Sequence, residues 1–386
     1  MSDSGWLSLE TDHEALRHNM RRFRAMTAPE TRLLAVVKAD GYGHGLLCSS
    51  RAFLEGGADM LGVHAIDEAV ALRDGGIAAP VLVLGPVTRD GMVLAAQHGV
   101  DLTVGSLVAA DLVASMADPA HPLRIHLKVE TGVNRQGFVE AELDDALSLL
   151  VDTPGLDLVG VSSHFADLED TTDRSWADQQ TTRFEAWLKT LADRGLDGLA
   201  RHMSCSAAAI LMPSTHRDIV RVGISGYGVW PSRVTRVCAS ATQERDLELK
   251  PAVTWSCGIS QIRDVPTGET VGYGRRWQAE TDSRIAILPV GYSDGYPRRT
   301  SQPLHGLVHG RRAPVRGRVC MNLTMIDVTH IPEAVAGDAA VLLGAQGDER
   351  ITAEQVAEWL GTIPYEILTL PGPTWRRTVK TTPARI

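Results

Sequence analysis

Lys38 is the residue whose surroundings most clearly indicate chemistry. It follows an apolar run, residues 33–37, and precedes the glycine-rich sequence ADGYGHG. Burial at the end of a strand lowers the pKa of a lysine from its ordinary value of about 10.4 and exposes the neutral amine, so Lys38 is a candidate to form a Schiff base. The glycines lack the spacing of a dinucleotide fingerprint and no G-K-[ST] follows them, so the loop does not indicate nucleotide binding.

Other reactive side chains close apolar runs in the same way. Lys128, His164 and Arg221 each lie at the end of such a run, Arg135 follows Lys128 closely, and another run ends in Ser-Cys-Ser at Ser206. In a barrel of parallel strands the carboxyl ends share one rim, where catalytic groups gather. For any one of these residues, a hydrogen-bonded polar group without a function is an equally good interpretation. Their occurrence together favours a site.

The elements that position these residues repeat along the first part of the chain. Short runs rich in Val, Leu and Ile alternate with segments of helical periodicity, and glycine follows several of these segments. The apolar runs cover residues 33–37, 59–63, 81–85, 101–105, 124–129, 157–165, 200–206 and 219–224. Alternating apolar strands and helices predict an α/β fold, and eight units are the number that closes a (β/α)8 TIM-type barrel. An open doubly wound sheet is the alternative.

A possible anion site follows the eighth run, where the chain reads GISGYG. Barrels of this kind bind phosphate in their last loops, and a glycine-rich turn presents backbone N–H groups to an anion. A lysine that forms Schiff bases, combined with a phosphate site, suggests pyridoxal phosphate as the cofactor.

The pattern changes after about Ser232, where strands follow one another without helices between them and glycine-rich turns separate them. One late helix, in TAEQVAEWLGT, has Thr352 as its expected N-cap. We therefore predict a barrel domain over residues 1–235 and a C-terminal mainly-β domain over residues 236–386.

Composition excludes several classes of function. The formal net charge of −9 argues against nucleic acid or an anionic membrane as a partner. The five cysteines are odd in number and widely spaced, which fits neither a disulfide framework nor a zinc site, and no metal is expected. The N-terminus does not read as a signal peptide, and no apolar run is long enough to cross a membrane, so we expect a cytoplasmic protein.

Eight motifs in order carry a resemblance to a known family. They are AVVKADGYGHG, HLKVETGVNRQGF, SSHFA, SCSAA, VRVGISGYG, VGYGRRW, VGYSDGY and GRVCMNLTMIDVT. Together they resemble the alanine racemases, and the resemblance runs over nearly the whole chain. It implies a pyridoxal-phosphate enzyme that interconverts L- and D-alanine, with a barrel followed by a β domain, working as a homodimer whose active sites are shared between subunits.

The resemblance also implies roles for individual residues. Lys38 would hold the cofactor and act as one catalytic base, and Tyr273, contributed by the partner subunit, would be the second. The cofactor would be bound by Tyr42, Ser206, Gly223 and Ile224 at its phosphate, Arg221 at its ring nitrogen, Arg135 at its phenolic oxygen, and His164 within the same network. Lys128 matches a lysine that is carbamylated in some members. The substrate carboxylate would meet Arg135 and Met321, and Tyr292 and Arg318 would line the entrance.

The chain departs from the family at two places. Asn322 stands where the family usually has aspartate, and the segment LTLPGPTWRRTV lacks the tyrosine that normally narrows the substrate cavity. We therefore expect activity on serine or larger amino acids in addition to alanine.

Three other functions compete with this interpretation. An amino-acid decarboxylase of the same fold could use Cys320 as a proton donor, but VKADGYGHG and VGYGRRW fit racemases better. A pyridoxal-phosphate homeostasis protein resembles the barrel alone and would leave the β domain unexplained. An interaction protein without catalysis would not need both proposed bases.

Overall fold

The computed structural model describes residues 5–242 and 247–381, which form two compact units. The first unit consists of Leu16–Gly41 and Leu46–Lys250. The second consists of the described parts of Met1–Ala15, Tyr42–Gly45 and Pro251–Ile386. Strand β1 (Leu7–Asp12), which lies within the predicted barrel domain of residues 1–235, thus belongs to the second unit. So do Tyr42–Gly45, which end the ADGYGHG sequence after Lys38.

The first unit is built on a sheet of eight parallel strands. They are β2 (Arg32–Val36), β3 (Met60–Val63), β4 (Val81–Val83), β5 (Asp101–Val104), β6 (Leu123–Lys128), β7 (Leu156–Ser162), β8 (Ala200–His202) and β9 (Ile219–Val222). The sheet order is β8-β7-β6-β5-β4-β3-β2-β9. Backbone bonds from Asp218 N to Arg201 O (3.2 Å) and from Arg221 N to Ser204 O (3.3 Å) connect its two ends. The predicted barrel is confirmed, with one strand in each predicted apolar run.

One helix precedes the first barrel strand, and a helix follows each of the eight strands, as the alternation predicts. Their bounds are His13–Met26, Leu46–Glu55, Ile66–Asp74, Arg89–His98, Leu107–Ser115, Leu143–Leu150, Ser175–Ala192, Ser206–Leu211 and Arg233–Thr242. The longest helix buries Phe184 and Trp187 on one face, which is the apolar stripe that its sequence periodicity predicts. Side-chain caps fix other helix starts: the Thr88 hydroxyl accepts a bond from Gly91 N at 3.3 Å, which satisfies an otherwise unpaired N–H group.

The second unit is mainly β, as predicted. Its strands after β1 are β10 (Val253–Gly258), β11 (Gln261–Val265), β12 (Thr270–Val271), β13 (Trp277–Gln278), β14 (Ser283–Leu288), β15 (His305–Val308), β16 (Arg311–Pro314), β17 (Thr324–Asp327), β18 (Ala339–Gln346), β19 (Glu349–Ile351) and β20 (Arg376–Lys380). The largest sheet has the order β16-β15-β18-β10-β1-β20, with β19 paired to β18. A second sheet has the order β11-β14-β17, and β12 and β13 form a hairpin.

Two helices lie in the second unit, Ala353–Leu360 and Pro364–Thr369. Thr352 caps the first of them as predicted, since its hydroxyl accepts a bond from Gln355 N at 3.2 Å. Short 3-10 turns cover Glu140–Glu142, Pro213–Thr215, Ile224–Tyr227, Tyr273–Arg275 and Tyr292–Asp294. In the described residues, no helix has both the length and the apolar character needed to cross a membrane.

Candidate active site

A cavity of 910 Å³ in the first unit collects the reactive residues that follow the barrel strands. This volume lies in the range of ligand and cofactor sites. The predicted residues that line it are Lys38, Lys128, Arg135, His164 and Arg221. The structure therefore brings together five side chains that the sequence separates by up to 183 positions, from Lys38 to Arg221.

The backbone after Lys38 forms a left-handed turn. The φ angles are 54° at Ala39, 53° at Asp40, 61° at Gly41 and 49° at Tyr42. Left-handed residues other than glycine are strained by roughly 1–2 kcal/mol each. Surrounding contacts must therefore hold this turn in place.

Glu68 supplies three of these contacts. One of its carboxylate oxygens accepts a hydrogen bond from Ala39 N at 2.7 Å, and the other accepts from His64 N at 2.8 Å and Ala65 N at 3.2 Å. The carboxylate thus ties the start of the left-handed turn to the loop after β3. This fixes the backbone next to Lys38.

Burial is the main cause of a lowered pKa at the Lys38 amine. The positive charge of Arg135 lowers this pKa further, and the carboxylate of Glu68 opposes both effects. A larger fraction of the amine is therefore neutral at a given pH than for an exposed lysine, which is the form that reacts with a carbonyl group.

Arg221 is buried and donates to four acceptors around it. Its guanidinium lies 2.8 Å from His202 Nδ1, 3.0 Å from His164 Nδ1, 2.8 Å from Ser163 O and 3.1 Å from Met203 O. Burial lowers the pKa of Arg221 to about 10, so it remains a cation near neutral pH. Arginine can only donate, so Nδ1 of His202 and Nδ1 of His164 must both be acceptors. The neutral His164 ring therefore carries its proton on Nε2. Burial and then Arg221 hold the pKa of His164 well below its ordinary value.

Lys128 is the second lysine of the cavity. Burial, followed by the charges of Arg221 and Arg135, lowers its pKa to about 7, while Glu130 acts in the opposite direction. Near neutral pH a large share of this amine is therefore uncharged and nucleophilic.

Ser206 and Gly223 meet at the turn after the last barrel strand. The Ser206 hydroxyl oxygen accepts from Gly223 N at 2.9 Å and from Ser225 N at 3.5 Å. Ile224, which is fully buried, is the first residue of the 3-10 turn that follows Gly223. The Tyr227 hydroxyl donates to Val36 O at 3.0 Å and so ties this turn to the strand that leads to Lys38.

Tyr42 and the glycines after it pack within the second unit. The Tyr42 side chain is buried, with its ring centroid 6.3 Å from that of Tyr365. Gly43 has a φ of 79°, and an added Cβ would collide with the Leu368 carbonyl oxygen. Arg377 donates a hydrogen bond to Gly43 O. Two glycine properties, a left-handed φ and the absence of a side chain, are thus both required at position 43.

Tyr273 lies on an exposed turn between β12 and β13. Its side chain is 71% exposed, which is unusual for a large aromatic residue. Gly272 and Gly274 flank it with φ values of 75° and 76°, and the Arg318 guanidinium lies 3.6 Å from where a Cβ of Gly274 would stand. Arg318 thus lies beside the two glycines that flank Tyr273.

Tyr292 and Met321 lie on two loops of the second unit that are bonded to each other. Tyr292 N donates to Cys320 O at 3.0 Å, and Ser293 N and its hydroxyl donate to Met321 O at 3.0 and 2.9 Å. Asn322 Nδ2 in turn donates to the Ser293 hydroxyl oxygen at 2.7 Å. The amide of Asn322 therefore supports the backbone of Met321 indirectly, and an aspartate could not make this donation.

The atypical segment LPGPTW is anchored by its tryptophan. The Trp375 indole N–H donates to Asp294 O at 2.6 Å, and its ring packs 5.9 Å from the ring of Trp255. The Trp375 side chain is 4% exposed, so it is committed to the core of the second unit. It does not present a polar group in place of the missing tyrosine.

The sequence patterns did not reveal two residues that contact the site, Glu68 beside Lys38 and His202 beside Arg221, and they did not reveal His126, which contacts His202. The signal for His202 and His126 is a histidine inside an apolar barrel strand, which costs free energy unless it is hydrogen-bonded. The signal for Glu68 is weaker, since a carboxylate in the first turn of a helix is common.

Comparisons with known proteins agree with this geometry. Residues 11–231 match the family model described as alanine racemase, N-terminal domain, and residues 252–379 match the one described as alanine racemase, C-terminal domain. An alanine racemase from Desulfosudis oleivorans is 38% identical over 377 residues, which is 95% of this chain and 94% of the relative. One from Syntrophobacter fumaroxidans is 40% identical over 363 residues, 93% of each chain.

Solved structures give the same result. A crystal structure of alanine racemase from Bacillus anthracis with bound L-Ala-P superposes with a TM-score of 0.91 at 33% identity, covering 99% of this chain and 96% of the other. The alanine racemase from a D-cycloserine-producing Streptomyces lavendulae superposes with a TM-score of 0.89 at 32% identity, covering 99% and 98%.

Proposed function

Because this chain belongs to the alanine racemase family, we propose that it interconverts L- and D-alanine with pyridoxal phosphate as cofactor and with Lys38 and Tyr273 as the two bases. One observation carries the proposal for this chain. Lys38, with its lowered pKa, lines the same cavity as Arg135, His164 and the buried cation Arg221.

The residues of the cavity fit the cofactor. When bound at Lys38, pyridoxal phosphate supplies a conjugated ring that withdraws electrons from the α-carbon and acidifies its proton. Arg221 would hold the ring nitrogen and Arg135 the phenolic oxygen. Ser206, Gly223, Ile224 and Tyr42 would bind the phosphate. The left-handed turn after Lys38 and the turn that begins at Gly223 are the two backbone features that serve this purpose.

Arg221 limits side reactions. With a pKa of about 10 it donates hydrogen bonds but keeps its proton near neutral pH. A ring nitrogen held by Arg221 would receive a hydrogen bond but no proton, so the bound cofactor would withdraw electrons less strongly than one paired with a carboxylate. Racemisation needs only a proton removed and a proton returned, so the weaker sink suffices and disfavours transamination.

Two bases on opposite faces of the α-carbon account for inversion. Lys38 would remove or return the proton on one face, and the partner subunit's Tyr273 would do so on the other. The exposure of Tyr273 and Met321 in a single chain supports a homodimer in which the partner covers them. In that assembly, Met321 N–H and Arg135 would bind the substrate carboxylate, with Tyr292 and Arg318 at the entrance. We place the enzyme in the cytoplasm, where its five free thiols would stay reduced.

Lys128 is proposed to carry a carbamate. Its pKa of about 7 leaves a neutral amine that can attack carbon dioxide, forming a C–N bond and releasing one proton to solvent. The carbamate would then be an anion next to Arg135 and Arg221, which offsets their charge. Incubation with 13C-bicarbonate should give a carbamate carbon signal that Lys128→Gln lacks.

The substrate range is proposed to extend to serine. Trp375 is buried and adds no hydroxyl where the family has tyrosine, and Asn322 removes one negative charge near Met321. Measurement of kcat/KM for alanine, serine and lysine tests this proposal. A strong preference for alanine over both others would contradict it.

The reaction itself is tested with L-alanine in deuterium oxide. The expected product is D-alanine with deuterium at Cα, whereas a decarboxylase would release carbon dioxide and a binding protein would leave alanine unchanged. Lys38→Ala should abolish the absorbance of the covalently bound cofactor. Tyr273→Phe should retain that absorbance and lose most racemisation. Retention of full activity in either variant would refute the assignment.

A further inference from the structure

A row of buried polar side chains runs from Arg221 into the barrel core. His202 Nε2 lies 2.9 Å from His126 Nδ1, and His126 Nε2 lies 3.5 Å from a carboxylate oxygen of Asp101. The other oxygen of Asp101 accepts a bond from Arg124 Nε at 2.9 Å. Asp101, His126, His202 and Arg221 are each at most 6% exposed. A polar row through an apolar barrel core requires a reason, because unpaired polar groups there cost free energy.

The direction of every hydrogen bond in the row follows from its ends. Arg221 can only donate, so His202 Nδ1 must be an unprotonated acceptor, and the neutral ring carries its proton on Nε2. That proton is donated to His126 Nδ1, which must also be unprotonated. His126 therefore carries its proton on Nε2 and points it at Asp101, which as a carboxylate only accepts.

The fold makes room for this arrangement. His126 pairs in register with Gly160 on the neighbouring strand, and a Cβ at Gly160 would collide with His126 Nδ1. The strands also shift register between Ile125 and His126. An irregular, glycine-containing strand weakens a sheet, so the space given to the imidazole has a cost that the hydrogen-bond row offsets.

The row also balances charge. A buried cation without a counter-charge is strongly unfavourable, and the groups next to the Arg221 guanidinium are neutral imidazoles and carbonyls. Asp101 provides the negative charge at the far end of the row. Positive groups face both ends: Lys128 and Arg32 act on His202, and Arg73 acts on Asp101 along with Arg124.

We propose that Asp101 and His126 are positioning residues for Arg221. Asp101 faces the Nε2–H group of His126 and so favours the tautomer in which His126 Nδ1 accepts from His202 Nε2. His202 Nδ1 is then left to accept the hydrogen bond from Arg221. This holds the guanidinium in one orientation toward the cavity. The consequence for catalysis rests on the proposed function, in which Arg221 contacts the cofactor ring. The assignment of the histidine tautomers does not depend on the proposed function.

The first test is nitrogen NMR of the full chain labelled with 15N-histidine, which reads tautomers without any activity. His202 and His126 should both be neutral with the proton on Nε2. Asp101→Asn should change the tautomer population of at least one of them. A control should change neither: Arg124→Gln removes the exposed partner of Asp101 and leaves its carboxylate in place. A protonated ring, or signals unchanged in Asp101→Asn, would overturn the proposal.

The second test is steady-state kinetics of the holoenzyme with alanine. Asp101→Asn should lower kcat about tenfold with little change in KM, because the neutral amide has one acceptor oxygen for both Arg124 and His126, and Arg221 acts on the cofactor ring rather than on the substrate carboxylate. An equal loss in Arg124→Gln would show that the row is only structural and overturn the proposal. So would an unchanged kcat. If Asp101→Asn does not fold, His126→Gln carries both measurements with the same expected losses. A wild-type protein without racemase activity would refute the proposed function while leaving the NMR result interpretable.

Discussion

Replacing Glu68 with glutamine tests how the left-handed turn at Lys38 is held. The carboxylate accepts three backbone hydrogen bonds, one of them from Ala39, the first residue of the turn. Glutamine keeps the size of the side chain but has one acceptor oxygen, and its amide nitrogen would face an N–H group. The glutamine oxygen can therefore accept either from Ala39 or from His64 and Ala65, and the hydrogen bonds on the other side are lost.

The magnitude follows from these contacts. Ala39, Asp40 and Tyr42 are left-handed residues other than glycine, so the turn is strained by roughly 3–6 kcal/mol. Each backbone hydrogen bond to Glu68 contributes about 1 kcal/mol net. The amide oxygen can keep the two bonds from His64 and Ala65 and lose the one from Ala39, or the reverse, so the free energy of unfolding should fall by about 1–2 kcal/mol. Urea unfolding monitored by tryptophan fluorescence measures this quantity.

The same substitution should change the titration of Lys38. The negative charge of Glu68 raises the pKa of the amine, so its removal should lower that pKa further. Covalent attachment of pyridoxal phosphate to the cofactor-free protein requires the neutral amine. The pH profile of the attachment rate should therefore move to lower pH, as followed by the absorbance of the bound cofactor.

Asp67→Asn is the matched control, because it removes the same charge from the neighbouring, exposed position. It should leave both the stability and the pH profile close to those of the wild type. The reasoning is refuted if Glu68→Gln loses no more stability than the control, or if its attachment profile moves to higher pH.

Three further outcomes are expected. Gly43→Ala should lower the free energy of unfolding by about 3 kcal/mol in urea, since the new Cβ collides with Leu368 O at a left-handed φ. Asn322→Asp should raise KM for alanine up to about fivefold without changing cofactor affinity, because it adds a negative charge and reverses the bond to Ser293. In the window from about pH 7 to 10.5 the unfolded chain binds a proton at Lys128 that the folded chain lacks, so stability should rise with pH. Lys128→Met should remove up to about 1.4 kcal/mol per pH unit of that rise in carbon-dioxide-free urea titrations.

The barrel and the position of its reactive residues could be predicted from sequence because both depend on local patterns. A continuous apolar run predicts a buried parallel strand, and the residue after it lies at the rim. This suffices for Lys38, Lys128, His164 and Arg221. The family prediction, which rested on motifs around these strand ends, is confirmed by both family models.

Other features depend on contacts that no local pattern reveals. Strand β1 pairs with β10 and β20, which lie more than 240 residues away in the sequence, so its membership of the second unit is not visible near the N-terminus. The left-handed turn includes Ala39 and Asp40, whose intrinsic preferences oppose that conformation. Contacts outside the turn hold it, such as the one with Glu68, 29 residues away from Ala39. These are places where tertiary contacts override local preference.

The charge of the cavity connects these features with the proposed reaction. The whole chain has a formal net charge of −9, yet the cavity brings together Lys38, Lys128, Arg135 and Arg221. Among the described residues that line it, Glu130 is the one carboxylate, and its oxygen already accepts a hydrogen bond from Val133 N at 2.6 Å. Burial is the main cause of the lowered pKa values of both lysines, and repulsion from the arginines adds to it. Such a site favours an anionic occupant, because an anion relieves that repulsion. A phosphorylated cofactor and a substrate carboxylate together supply that negative charge, and their binding should therefore raise the pKa of any lysine amine that remains free.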